Sequence, residues 1–423
     1  MKRILLSIAL LALCLGLSAQ NYNVLNEVAA SRALASGCEG PYNFEVPALT
    51  AAPKGYTPFY ISHYGRHGAR YAYSSNTYAL VKKVLDAAAE ADALTPYGVQ
   101  FYKDFLAFWE TPYINTGDLV RLGELQHEHI ARIMAQSFPE VFAAGGKVLA
   151  RSSTSQRAIV SMNAFTVSLQ KYAPKVDIEA NSFHENMVVV NATSAPRELL
   201  ERYANDPKLP ETKAAFRARK YDYDGILGTL FTDRGFLEEI GGRTQFIYEL
   251  FCLWQGYRNY CDGDWMEGLF TEEQIKTNWE VDSYGQYADH GGIRYQQIPL
   301  LRDVITRAND AIATGACKAD LRFGHDTVVN SFCPLLNLDG CGYMPASADD
   351  VKYWFQNYKT PMAANVQFVL YRSKKSPEIL FKVLRNGIEA TLPQLTPVSG
   401  PYYRWDDFCA WAETVYAAHP RIQ

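Results

Sequence analysis

The sequence predicts an α/β fold that carries an inserted, mostly α-helical domain. Three observations lead there. Apolar, β-branched and aromatic runs alternate with helically spaced segments before residue 190, and the alternation returns after residue 310. Between them helical patterns dominate and strand signals are weak. At 423 residues with 48% hydrophobic content, the chain can bury large cores in one large or two interleaved domains.

Residues 1–19 read as an export signal. Lys2 and Arg3 precede an apolar stretch too short to span a bilayer comfortably, and Leu17-Ser18-Ala19 offers a small-residue cleavage site. The α/β domain is expected over 20–190 and 311–423, with the helical insertion at 191–310. Within the first part, Gln20 to Pro58 is irregular apart from a short helical candidate at Val24 to Leu34. Thr57 to Tyr64 is the first strand, and helical spacing marks Tyr78–Ala93, Val99–Trp109 and Gly123–Phe138. Lys147 to Arg151 is a short strand, and Ser152-Ser153-Thr154 supplies N-cap candidates for a helix running to about Tyr172. Val176–Phe183 closes this part as a strand.

From about Pro196 to Arg307 tryptophans and tyrosines are frequent (Trp254, Tyr257, Tyr260, Trp265, Trp279) within helical patterns. Ala319 to Gly324 returns to strand and runs into His325-Asp326. Asn365–Arg372 and Ile379–Val383 read as two strands around the turn-forming Ser373-Lys-Lys-Ser-Pro377.

Charge and cysteines narrow the function classes. Without Lys2 and Arg3, 39 of the 41 basic residues face 45 acidic ones, a net charge of −6. That balance excludes a nucleic-acid coat or an anionic-membrane binder. An anionic ligand would need a local arginine cluster. Beyond Cys14, seven cysteines remain, and in an exported protein they read as disulfide partners. Cys252 with Cys261, and Cys333 with Cys341, are near enough in sequence to close short loops, although connectivity stays open. No histidine spacing supports a metal site, and no second apolar run is of spanning length.

The chemistry concentrates in three segments that follow predicted strands. Arg66-His67-Gly68-Ala69-Arg70 sets a histidine between two arginines, with a glycine allowing close backbone approach. Arginine forks can neutralise and orient phosphoryl oxygens, and imidazole can form a covalent phospho-intermediate. Arg151 ends the second strand, and His325-Asp326 follows a later one. In open α/β sheets ligands bind at the carboxyl ends of strands.

These segments resemble the histidine acid phosphatases, whose signature pairs Arg-His-Gly-x-Arg with a distant His-Asp or His-Ala-Glu. Arg151-Ser-Ser-Thr-Ser-Gln-Arg157 is similar to a further family segment whose first arginine binds phosphate, and Gly117 to Gly123 resembles a family helix start. The Arg-His-Gly-Ala-Arg-Tyr spelling and the Thr360 to Asn365 stretch resemble the phytase and multiple inositol polyphosphate phosphatase group.

The resemblance implies a phosphoglycerate-mutase-like α/β sandwich and a metal-independent, cofactor-free hydrolase of small phosphomonoesters. It implies His67 as nucleophile, Asp326 as proton donor, and Arg66, Arg70, Arg151 and His325 as phosphate ligands. Arg157 is then structural, with an exchange of roles between Arg151 and Arg157 as the alternative.

Substrate cues conflict. The stretch Tyr71 to Asn76 lacks the basic residue that phytases of the family commonly carry there, and the donor pair is His-Asp. Basic residues at Arg197, Arg202, Lys213, Arg217, Arg219 and Lys220 either line a pocket or form solvated helix surface. Inositol polyphosphates are the expected substrates, with a broad-specificity phosphatase as the main rival and a non-catalytic phosphate-binding module as a rival of another class.

Overall fold

The run Tyr56–Arg66 is buried from Pro58 onward along both faces, as a central strand with helices on either side must be. In a computed structural model this strand, β1, lies inside an eight-stranded mixed sheet. The structure describes residues 24–191, 209–238 and 242–420. The expected export signal and the basic residues Arg197 and Arg202 lie outside them.

The other strands are β2 (Gly146–Ser152), β3 (Val176–Asn181), β4 (Cys317–Gly324), β5 (Asn365–Ser373), β6 (Leu380–Arg385), β7 (Ile388–Ala390) and β8 (Tyr403–Arg404). Their order is β3-β2-β4-β1-β5-β6-β7, with β8 on β6. The first four run parallel, and β5 turns the sheet antiparallel. Register sets Arg66 beside Gly324, and Ser152 beside Phe323. The carboxyl ends of β1, β4 and β2 therefore meet at one edge. The strands expected at each end of the chain are present, so the α/β class holds.

The helices that matter here are α1 (Ser75–Glu90), α2 (Pro96–Phe108), α3 (Arg121–Ser137), α4 (Gln156–Tyr172), α5 (Arg243–Gly256), α6 (Glu272–Asp289), α7 (Ile298–Thr314), α8 (Asp326–Leu335) and α9 (Trp405–Ala418). Two apolar cores flank the sheet. One packs α7, α8 and α9 against β1, β5 and β6, and the other packs α3 and α4 on the opposite side. A third core is purely helical and joins α1 and α2 to α5 and α6.

These cores cut across the expected domain boundaries. Helix α7, placed with the insertion by sequence, buries Leu300, Leu301 and Val304 against the sheet. Helices α1 and α2, placed with the α/β domain, bury Tyr78, Val81, Phe101 and Phe105 in the helical core. Helical periodicity shows that a face is buried but not which partner covers it.

Two further expectations change. Helix α4 starts at Gln156 with Ser155 at its N-cap, so Ser152 to Thr154 do not cap it; Ser152 instead bonds the carbonyl of Ser153. The seven cysteines Cys38 to Cys409 are free thiols, so the expected loop-closing pairs are unbonded. Cys252 sits beside Tyr248 and Glu249 on α5, whereas Cys261 bonds the carbonyl of Asp262. Among the described residues no helix is long and apolar enough to cross a membrane.

Candidate active site

The strand ends carry the predicted residues into a cavity of about 440 Å³, lined among others by His67, Arg70, Arg157, His325 and Asp326. A second cavity, of about 390 Å³, lies beneath the 46–52 segment and holds none of them.

His67 follows β1 directly. Its backbone N–H donates to the carbonyl of Gly324 at 2.9 Å, locking the β1 end to the β4 end. The ring Nδ1 lies 2.9 Å from the Gly68 carbonyl. A carbonyl only accepts, so Nδ1 carries the hydrogen and Nε2 keeps its lone pair. Burial, then the charges of Arg66 and Arg70, push the imidazole well below its ordinary pKa. His67 is thus a neutral imidazole with a fixed tautomer.

The loop after it is held by backbone contacts. Gly68 N–H donates to Ser161 Oγ at 3.0 Å, and Ala69 N–H to Gln126 Oε1 at 2.8 Å. A Cβ on Gly68 would come within 2.4 Å of the Gly123 carbonyl oxygen at the start of α3. Glycine is required there by close approach of two backbones.

Three arginines surround the histidine. Arg66 is fully buried, and donates to the carbonyls of Cys38 and of Thr360, the latter at 3.0 Å. Its other terminal nitrogen lies 3.2 Å from Asp326 Oδ2. Arg70 holds Glu39 in a fork, with bonds of 2.8 and 3.1 Å. Arg157, near the start of α4, lies over the Tyr73 ring at 5.4 Å, and no carboxylate pairs with it among the described residues. Burial and then the neighbouring Arg70 hold its guanidinium below the ordinary value. An unpaired, crowded cation is suited to an anionic ligand.

His325 follows β4 and caps α8, which Asp326 opens. The His325 ring lies 5.6 Å from that of His67, centroid to centroid, and its Nε2 sits 2.9 Å from Ser153 Oγ. Burial, then Arg157, lower it to about 4. Burial alone would raise Asp326, but Arg66 and then Arg70 outweigh it and hold the carboxyl well below the usual range. In the free site it is a carboxylate.

Arg151 is placed elsewhere, which corrects its expected role. Its guanidinium binds Asp303 on α7 at 2.7 Å and Asp320 on β4 at 2.7 Å, and it does not line the cavity. Strand β2 runs one residue past it, and Arg151 pairs in register with Arg322, which binds the same two aspartates. Arg157 takes the cavity position that Arg151 was expected to fill.

The sequence gives no sign of Glu39, Gln126 and Ser161, and it offers Ser153 only as an N-cap candidate. Each acts through a partner distant in the chain, so no local pattern marks it. The remaining lining includes Thr77, Glu249, Gln255, Asp282, Gln286 and His290. Burial lifts Asp282 to about 6.

Residues 65–223 match the family model described as the histidine phosphatase superfamily (branch 2). This is the family the motifs resemble. Solved structures of similar fold cover most of the chain. The multiple inositol polyphosphate phosphatase of Bifidobacterium longum, solved with inositol hexasulfate, superposes with a TM-score of 0.75 at 18% identity. That match covers 89% of this chain and 97% of the other. A phytase from D. castellii gives 0.64 at 16% identity, over 94% and 86%. The phytase from Citrobacter braakii gives 0.56 at 13% identity, over 85% and 98%. No curated sequence matches the chain.

Proposed function

We propose that the chain hydrolyses phosphomonoesters through a phosphohistidine formed on His67. One observation carries the reading: a neutral imidazole, its Nε2 free, shares a cavity with Arg70, Arg157 and the Asp326 carboxyl. Nε2 attacks phosphorus as the ester P–O bond breaks and its electron pair passes to the leaving oxygen. Arg70, Arg157 and His325 hold the phosphoryl oxygens where charge develops, with Arg66 behind them.

Asp326 supplies the proton to the leaving alcohol. Its proton affinity is low in the free site because Arg66 and Arg70 face it. A bound phosphate dianion offsets those cations, so substrate itself raises the carboxyl's affinity for a proton. In the second step Asp326 takes a proton from water as water attacks phosphorus. The P–N bond breaks, its electrons return to Nε2, and inorganic phosphate leaves. The lowered pKa of His67 keeps the nucleophile unprotonated in acid, which favours an acidic optimum.

Two substrate readings divide on the alcohol. The solved relatives of similar fold include enzymes named for inositol polyphosphates and phytate, and these support the expected inositol polyphosphate. Carboxylates in the cavity lining favour a simpler monoester. Export rests on Lys2, Arg3 and the apolar stretch to Ala19, and a mature protein whose N-terminus reads Gln20 would support it.

The deciding experiment is rapid quenching with a radiolabelled phosphomonoester. Acid-labile label should appear on the wild type, and His67→Ala should lose label together with at least about 1000-fold in turnover. Turnover retained in His67→Ala would sink the mechanism.

A further inference from the structure

Resting on the phosphomonoesterase reading, we propose that the site selects esters bearing a single phosphate whose leaving alcohol carries hydroxyl or ammonium donors. Glu249 and Asp282 read those donors. Among the described lining residues, Arg70 and Arg157 are the only arginines, and no lysine is present. Beyond them the described lining includes the carboxylates Glu249 and Asp282 and the amide Gln286.

Glu249, on α5, receives Asn76 Nδ2 at 2.9 Å, Thr77 Oγ1 at 2.8 Å and Gln245 Nε2 at 2.7 Å. All three donors are neutral. Two come from the first turn of α1, where the helix dipole favours an anion. Asp282, on α6, receives Gln255 Nε2 at 3.3 Å and Asn357 Nδ2 at 3.1 Å, both on Oδ2. That leaves Oδ1 for a further donor. Gln286 Oε1, one turn on along α6, is buried without a partner among the described residues. The nearby Arg217 stacks on the Tyr248 ring at 3.6 Å and is not part of the lining.

A second phosphate on the substrate would bring about −1.5 to −2 charge against these carboxylates, where the described lining offers no lysine or third arginine to receive it. A hydroxyl or ammonium group instead finds open acceptors. Sites built to bond substrate donors also reject analogues that lack them, because their own polar groups are then left unpaired.

The test compares kcat/KM for p-nitrophenyl phosphate, glycerol 1-phosphate, O-phosphoethanolamine and inositol hexakisphosphate. It is run on the wild type and on Glu249→Gln and Asp282→Asn. Glycerol 1-phosphate or O-phosphoethanolamine should exceed the hexakisphosphate by about tenfold or more, and the better of the two identifies the donor. Each variant should shrink the advantage of that substrate over p-nitrophenyl phosphate by about tenfold. Faster turnover of the hexakisphosphate than of either monoester, or ratios unmoved in both variants, would overturn the proposal. The wild-type comparison stands even where a variant fails to fold. Failure to turn over p-nitrophenyl phosphate would instead defeat the phosphomonoesterase reading beneath it.

Discussion

Two buried clusters of arginine and carboxylate sit on the same sheet and do opposite things. At the first, Arg151 and Arg322 grip Asp303 and Asp320, with Arg307 at the rim. Every inner charge has a counter-charge within 3.5 Å, and none of these four residues lines the 440 Å³ cavity. At the second, Arg66 and Arg70 share Glu39 and Arg66 also pairs with Asp326, while Arg157 has no carboxylate partner among the described residues. This cluster opens on a cavity. Arginine at a strand end therefore does not make a phosphate site. An excess of cation beside free volume does, because the missing charge is what the ligand supplies.

Removing each of the two arginines in turn breaks the comparison most directly. Arg157→Ala should cost roughly 100-fold or more in kcat/KM with a melting temperature near that of the wild type. Arg151→Ala should lose about 3–5 kcal/mol of stability, since Asp303 and Asp320 are left short of a partner, while the folded fraction stays active. Parallel kinetics and thermal melts decide. A catalytic loss in Arg151→Ala without a stability loss would restore the role first expected for it.

Asp326→Asn sharpens the reading of the second cluster. Turnover of an alkyl phosphate should fall about 100-fold or more, and that of p-nitrophenyl phosphate much less, because nitrophenolate leaves without a proton. Equal losses on both would assign Asp326 to charge balance instead of proton transfer.

The smallest expected effect concerns the sheet between the clusters. His63 and His127 pack on Phe165 and Phe323, and burial lowers both to about 3. The unfolded chain binds protons at these positions near pH 6.5, and the folded chain does not. Their stabilising contribution is complete above that pH and is lost as the pH falls toward 3. Denaturant midpoints measured from pH 7 to 4 should decline, and less steeply in His127→Gln. A flat profile would show that these histidines take up protons in the native state.

Much of this arrangement was legible in the chain itself. The run Thr57 to Tyr64 reads as a strand because its apolar residues are continuous, and β1 buries both faces. Arg66-His67 and His325-Asp326 follow strands that pair in parallel, so their meeting at one sheet edge follows from topology. Arg151 was misjudged for a physical reason. Side chains alternate across a sheet and helices cover each side, so one residue of register decides which side an arginine meets. No local pattern marks the aspartates of α7 and β4 that hold it.

The same limit applies to the helices. Helical patterning marked the stretch from Pro196 to Arg307 but neither the bounds of α5 and α6 nor the cavity that Glu249 and Asp282 reach, since their partners lie on α1 and near Asn357. The sequence by itself determined the principal strands and the Arg66-His67 and His325-Asp326 motifs at their ends, because these depend on adjacent residues. Tertiary structure alone decided which arginine faces the ligand and what charge lines the far wall. Those depend on long-range register and packing, which bring together groups that no local spacing relates.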